Sequence, residues 1–126
     1  MFRIKGLDHV VLRVSDMDKA LAFYCGVLGC VEERRVERLG LVQLRAGASM
    51  IDLVPAKGGA SAGARNMDHF AIRIDPYDEQ AIRSYLEEKG VRLGDAGRRY
   101  GAEGEGPSLY IFDPDGNTVE LKGPPS

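Results

Sequence analysis

The chain is short of the residues from which many sites are built. Its 126 residues include two cysteines and two histidines. Cys25 and Cys30 suit a reducing compartment rather than a disulfide framework, and neither has a second cysteine or a histidine at metal-ligand spacing. They read as packing residues. Neither sign of charge dominates: 17 Lys and Arg against 19 Asp and Glu give a net −2, which predicts no nucleic-acid and no membrane partner. No apolar run approaches the ~20 residues of a bilayer span. The start, MFRIKGLDHVV, lacks the apolar core of a signal peptide, so the expected location is cytoplasmic. What remains is an ordinary globular composition, 44% hydrophobic, in a length that suits one domain or two half-size modules sharing a core.

The scarce histidines fall in a repeat. GLDHVVLRV (Gly6 to Val14) and NMDHFAIRI (Asn66 to Ile74) place Asp8 with Asp68, His9 with His69 and Arg13 with Arg73, at an offset of sixty residues. The first copy reads as a strand over Leu7 to Val14. A helix follows, capped by Ser15 or Asp16, with Met17, Ala20, Leu21, Tyr24 and Leu28 as its apolar stripe and Gly29 at its stop. The second copy reads as a strand over Met67 to Ile74. Its helix is capped by Asp75 with Pro76 in the first helical position, a stripe of Tyr77, Ala81, Ile82, Tyr85 and Leu86, and Gly90 at its end. Three short strands follow each helix: Val31 to Val36, Leu41 to Arg45 and Ser49 to Val54, then Val91 to Arg98, Ser108 to Phe112 and Asn117 to Lys122. DPDGN (Asp113 to Asn117) is a hairpin turn. RRYGAEGEGPS (Arg98 to Ser108) reads as a mobile hairpin loop able to close over a site. AKGGASAGAR (Ala56 to Arg65) reads as the linker. The expected architecture is therefore α+β: one domain of two βαβββ modules, about residues 3–55 and 66–122, forming an open, curved mixed sheet.

Strand alternation puts His9, Val11 and Arg13 on one face, and likewise His69, Ala71 and Arg73. Aligning the closing strands sets Asp52 (in IDL) against Glu120 (in VEL). Each module so supplies one imidazole early and one carboxylate late. Two neutral imidazoles and two carboxylates are a donor set for one divalent metal, and octahedral coordination leaves two positions for water or substrate. Coordination also offsets the cost of carboxylates facing the inside of a sheet. Arg13 is either a solvated strand-end charge or a clamp for an anion. Arg73 reads as solvated.

The segments LDHVVLRVSDMDKALAFYCGVLG, MDHFAIRI and DPDGNTVEL resemble the vicinal oxygen chelate superfamily, also called the glyoxalase/bleomycin resistance/dioxygenase group, over about Leu7 to Leu121. The resemblance implies paired βαβββ modules in an open barrel with a metal inside, and it places His9, His69 and Glu120 at the ligand positions. In glyoxalase I-like members the position of Asp52 is a fourth ligand, normally Glu. That of Arg13 binds a glutathione carboxylate, and that of Ala56 is an asparagine contacting glutathione. Extradiol dioxygenases use two histidines and one carboxylate on iron, with a tyrosine where Tyr110 stands, but add an acid–base histidine that this chain lacks. Fosfomycin-modifying thiol transferases share the three ligand positions and run on beyond the last. Metal-free bleomycin-binding members usually lack the ligands. The resemblance implies a metal-dependent lyase or isomerase of the glyoxalase I kind, acting on a small-molecule substrate chelated through adjacent oxygens. Ni, Zn, Mn, Co or Fe would be held by His9, His69, Glu120 and Asp52, with Glu120 the first and Asp52 the second candidate base, and the protein would form a homodimer.

Overall fold

The computed structural model describes residues 1–27, 29–56, 66–112 and 117–126. Leu28 of the first helical stripe, positions 57–65 of the expected linker and positions 113–116 of the expected DPDGN turn lie outside the described residues. The chain folds as two compact units, one made of His9–Asp68 and the other of Met1–Asp8 with His69–Ser126. Strand β1 (Arg3–Val14) contributes to both.

In the unit His9–Asp68, β1 is followed by helix α1 (Met17–Leu21), β2 (Val31–Val36), β3 (Leu41–Ala46) and β4 (Ser49–Pro55). The strands lie in the order β2-β3-β4-β1, with β1 and β4 parallel and the other pairs antiparallel. Asp16 rather than Ser15 caps α1, its carboxylate accepting the Lys19 N–H at 3.0 Å. The helix keeps α geometry only to Leu21 and continues as a π-helical turn over Ala22–Val27, leaving Phe23 and Val27 exposed. Gly29, at φ +82°, turns the chain out of it. Met17, Ala20, Leu21 and Tyr24 still cover one face of the sheet, over buried Val42, Leu44 and Leu53. Cys25 and Cys30 are free thiols packed against the same cluster. Burial, with Cys30 adding to it, raises the Cys25 thiol above its ordinary pKa, which suits a packing role.

The other unit runs β5 (Met67–Asp75), α2 (Glu79–Glu88), β6 (Arg92–Gly101), β7 (Gly104–Phe112) and β8 (Thr118–Lys122), ordered β5-β8-β7-β6. Here β5 and β8 are the parallel pair. The helix begins later than the sequence suggests. Asp75 ends β5, the Asp75–Pro76 peptide is cis, and Asp78 is the cap, accepting the Ala81 N–H at 3.1 Å. Tyr77 therefore precedes the helix, yet packs with Ile82 and Leu86 over Ile74, Leu109, Val119 and Leu121. Gly90, at φ +74°, closes α2 as expected.

A second correction concerns Arg98 to Ser108. It is paired strand on both sides of a two-residue turn, with Arg98 opposite Pro107 and Gly101 opposite Gly104. Gly101 and Gly106 serve close approach, and Gly104 takes a φ of +118°. A Cβ on Gly101 would stand 2.2 Å from an Asp8 carboxylate oxygen, and one on Gly106 would stand 2.3 Å from the Pro124 carbonyl. None of the described helices is long and apolar enough to cross a membrane.

Candidate metal centre

In each unit the strands have an apolar face under the helix and a polar face opposite. In the unit with β5 to β8, register sets Ala71 beside Glu120, and Glu120 beside Tyr110. His69, two residues before Ala71, shares their face. Its Nε2 lies 3.1 Å from Glu120 Oε1, with His69 8% and Glu120 1% exposed. The Tyr110 ring meets the His69 ring edge-on, 5.2 Å between centroids, and carries the Arg99 guanidinium on its own face at 4.1 Å. Arg99 also donates to the buried Ser108 hydroxyl.

Farther along this face the charges multiply. Lys122 is 2% exposed, and its ammonium donates to the Gly104 carbonyl at 3.3 Å. Burial lowers its pKa below the ordinary lysine value, against the opposing pull of Asp8 and Glu120. Asp8, equally buried, accepts the Ala102 N–H at 2.9 Å, and Arg73 Nε lies 2.8 Å from Glu103. The β6–β7 turn is thus latched by charged side chains from three strands. Arg73 is only 13% exposed in its side chain, which corrects the expectation of a solvated strand end. Sequence reasoning also missed Asp8, Arg99 and Lys122. Alternation puts Lys122 on the face of Glu120 and the repeat pairs Asp8 with Asp68, but neither pattern signals their burial.

In the unit His9–Asp68 the register is the same: Val11 stands beside Asp52, as Ala71 stands beside Glu120. His9 and Asp52 share a face and are 3% and 4% exposed. Asp52 accepts from the buried Gln43 amide at 3.0 Å, and the Gln43 carbonyl accepts from Arg34 at 3.1 Å. Arg13 donates to Asp68, an ion pair about four-tenths exposed on either side. The structure so brings His69, Glu120 and Tyr110 together in one unit, and sets His9 and Asp52 on one sheet face of the other.

The donor set fits a metal. Two ligand atoms on one octahedral ion, each at about 2.1 Å, lie about 3 Å apart, close to the His69–Glu120 separation of 3.1 Å. An imidazole nitrogen and a carboxylate oxygen are donor types that divalent ions take, and both residues are buried.

Comparison with known proteins agrees. The family model of the glyoxalase/bleomycin resistance protein/dioxygenase superfamily matches residues 6–121. Mitochondrial methylmalonyl-CoA epimerase of Bos taurus is 30% identical over 130 aligned positions, covering 92% of this chain and 73% of that protein. Metallothiol transferase FosB of Shouchella clausii is 28% identical over 118, covering 94% and 80%. The crystal structure of methylmalonyl-CoA epimerase from Mycobacterium tuberculosis superposes with a TM-score of 0.68 at 25% identity, over 98% of this chain and 90% of that one. These relatives are enzymes of different reaction types, and members of the group bind divalent metals. The α+β fold, the repeated modules and the family model together assign the chain to the glyoxalase/bleomycin resistance protein/dioxygenase superfamily.

Proposed function

We propose that the protein is a metal-dependent enzyme of the glyoxalase I-like kind, which moves a proton at a carbon next to a carbonyl on a small substrate chelated through adjacent oxygens. The observation that carries this reading is the buried His69–Glu120 pair, 3.1 Å apart on neighbouring strands. His9, at the equivalent point of the repeat and equally buried, supplies the second imidazole, and Asp52 the second carboxylate. Two neutral and two anionic donors balance one divalent ion, which Ni, Zn, Mn, Co or Fe would satisfy. Such an ion, when bound, stabilises the oxyanion that forms as the carbon loses its proton.

The chain's own groups do the rest. Glu120 accepts the proton at a carboxylate oxygen and returns it to the product, with Asp52 as the second candidate. Tyr110 holds the His69 ring by its edge contact and lines the substrate's approach. Arg13 takes a substrate carboxylate by exchanging it for Asp68. The epimerases among the relatives support a proton-transfer reaction, because an epimerase inverts a centre by removing and restoring a bond to it. We also propose that the chain works as a cytoplasmic homodimer.

The test is solvent exchange. Protein reconstituted with Co²⁺ or Ni²⁺ is incubated in D₂O with hemithioacetals and acyl thioesters, and deuterium at the carbon next to the carbonyl is read by NMR. The expected result is incorporation that Glu120→Gln abolishes. Consumption of O₂ with a catechol on Fe²⁺, without exchange, would overturn the reading in favour of an extradiol dioxygenase, the reading that Tyr110 beside His69 favours.

A further inference from the structure

Three polar side chains stand in a row across the polar face of the unit His9–Asp68. Arg34 on β2 is opposite Gln43 on β3, and Gln43 is opposite Asp52 on β4. The row has a single direction. A guanidinium can only donate, so the Gln43 carbonyl must face Arg34, and the Gln43 NH₂ must then face Asp52. The distances of 3.1 and 3.0 Å match that assignment. Turning the amide over would set its NH₂ against Arg34 and its oxygen against a carboxylate, repulsive at both ends. Gln43 is 3% exposed, so water does not substitute for either partner.

An irregularity in the sheet places the arginine there. The β2–β3 register shifts between Glu32 and Arg34. In an unbroken ladder Glu32 opposite Leu44 would be followed by Glu33 opposite Gln43. The bulge puts Arg34 opposite Gln43 instead, and Glu33 turns to Arg45, which it accepts from through both oxygens at 3.0 Å. A carboxylate opposite Gln43 would call for the NH₂ and turn the amide oxygen toward Asp52. The bulge, the amide orientation and the buried carboxylate therefore agree on one outcome, an Asp52 that is offered a donor.

We infer that Gln43, oriented by Arg34 across the β2 bulge, is a positioning residue that fixes the Asp52 carboxylate as an anionic donor toward a divalent cation. This rests on the proposed function and extends it to two residues outside the ligand set. It also answers why Asp52 serves where Glu120 serves in the other unit. A carboxylate one methylene shorter has less reach, and its direction is set by a neighbour rather than by its own length.

The test is Co²⁺ binding to the full-length protein, followed by calorimetry and by the visible spectrum of the bound ion, with thermal unfolding in chelator as the control. Outer partners of metal ligands typically change affinity about 10- to 100-fold when removed. Gln43→Leu is expected to weaken Co²⁺ binding within that range and to alter the Co²⁺ spectrum. Arg34→Met, at an exposed position, is expected to act in the same direction by a smaller factor, and Arg34→Lys to restore affinity. The double variant Gln43→Leu/Arg34→Met should be no weaker than Gln43→Leu alone, because both break one row. Should Gln43→Leu fail to fold, Arg34→Met against Arg34→Lys still decides. Wild-type affinity and spectrum in Gln43→Leu and Arg34→Met, in a protein whose Co²⁺ uptake His69→Ala abolishes, would overturn this inference and leave the proposed function standing. Absence of Co²⁺ uptake by the wild type would overturn both.

Discussion

The two units share one strand order and register and differ in the side chains set on them. The closing strand pairs with the histidine strand in the same parallel register in each, Val11 beside Asp52 and Ala71 beside Glu120. The next strand then puts Gln43 beside Asp52 and Tyr110 beside Glu120. An arginine contacts each of those: Arg34 donates to Gln43, and Arg99 stacks on Tyr110. With backbone and register held constant, the side chain decides. Glu120 meets the His69 imidazole, whereas Asp52 is held by an amide. The units also differ one pair farther along, where Arg73 stands beside Lys122 but Arg13 stands beside Val54. One polar face buries a cluster of charges there. The other leaves Arg13 in an exposed pair with Asp68.

The largest effect should come from the carboxylate with the longer reach. Glu120→Gln keeps the volume and removes the proposed base, so turnover should fall about 10²- to 10⁴-fold while the fold is kept, as single-turnover kinetics and circular dichroism would report. Lys122→Met makes the two units more alike and leaves Asp8 with the Ala102 N–H. Relief of the buried ammonium's desolvation offsets the lost attraction to Asp8 and Glu120, so urea unfolding at neutral pH should change by no more than about 1 kcal/mol. Lys122 also gives the comparison a pH dependence. Its folded pKa lies below the ordinary 10.5, so the unfolded chain binds that proton more tightly. Its contribution therefore disfavours folding below the folded pKa, and stability rises with pH from there up to the unfolded value. Lys122→Met should lack that rise, whereas Val54→Ala in the other unit should keep it.

A smaller change than at Glu120 probes the short carboxylate. Asp52→Asn should weaken metal binding about 100-fold, at least as much as loss of the Gln43 that acts through it, and less than any of His9→Ala, His69→Ala or Glu120→Ala. Equal losses at Asp52 and Glu120 in a metal titration would erase the difference drawn between the units. Asp68→Asn should likewise change stability by no more than about 1 kcal/mol, as exposed ion pairs do. If Arg13 takes a substrate carboxylate, the same variant should lower KM by freeing the arginine, which steady-state kinetics would read.

The repeat was legible because it rests on pattern. Alternation fixed the faces of β1, β4, β5 and β8, and the repeated Asp-His-Arg spacing pointed to the buried histidines. Local rivals were harder to separate. With Tyr77 read into the stripe, Asp75 stands where a cap belongs, whereas the Ala81 N–H bond to Asp78 starts the helix three residues later. Gly101 and Gly106 read as loop because their need for close approach arises from Asp8 and Pro124, distant in sequence. The positions of Gln43 and Arg34 beside Asp52 depend on a bulge, which shifts register without a composition signal. Burial of Lys122 and Arg73 was hidden for a related reason: long cations at strand ends usually reach water.

The proposed function requires His9, His69 and Glu120 to hold one divalent ion. Elemental analysis of the wild type and of His9→Ala, His69→Ala and Glu120→Ala, each reconstituted anaerobically and freed of excess metal, tests it most directly. Close to one metal per wild-type chain is expected, with most of it lost in each variant. Metal retained at the wild-type level in His9→Ala, or a wild type that takes up none, would contradict it.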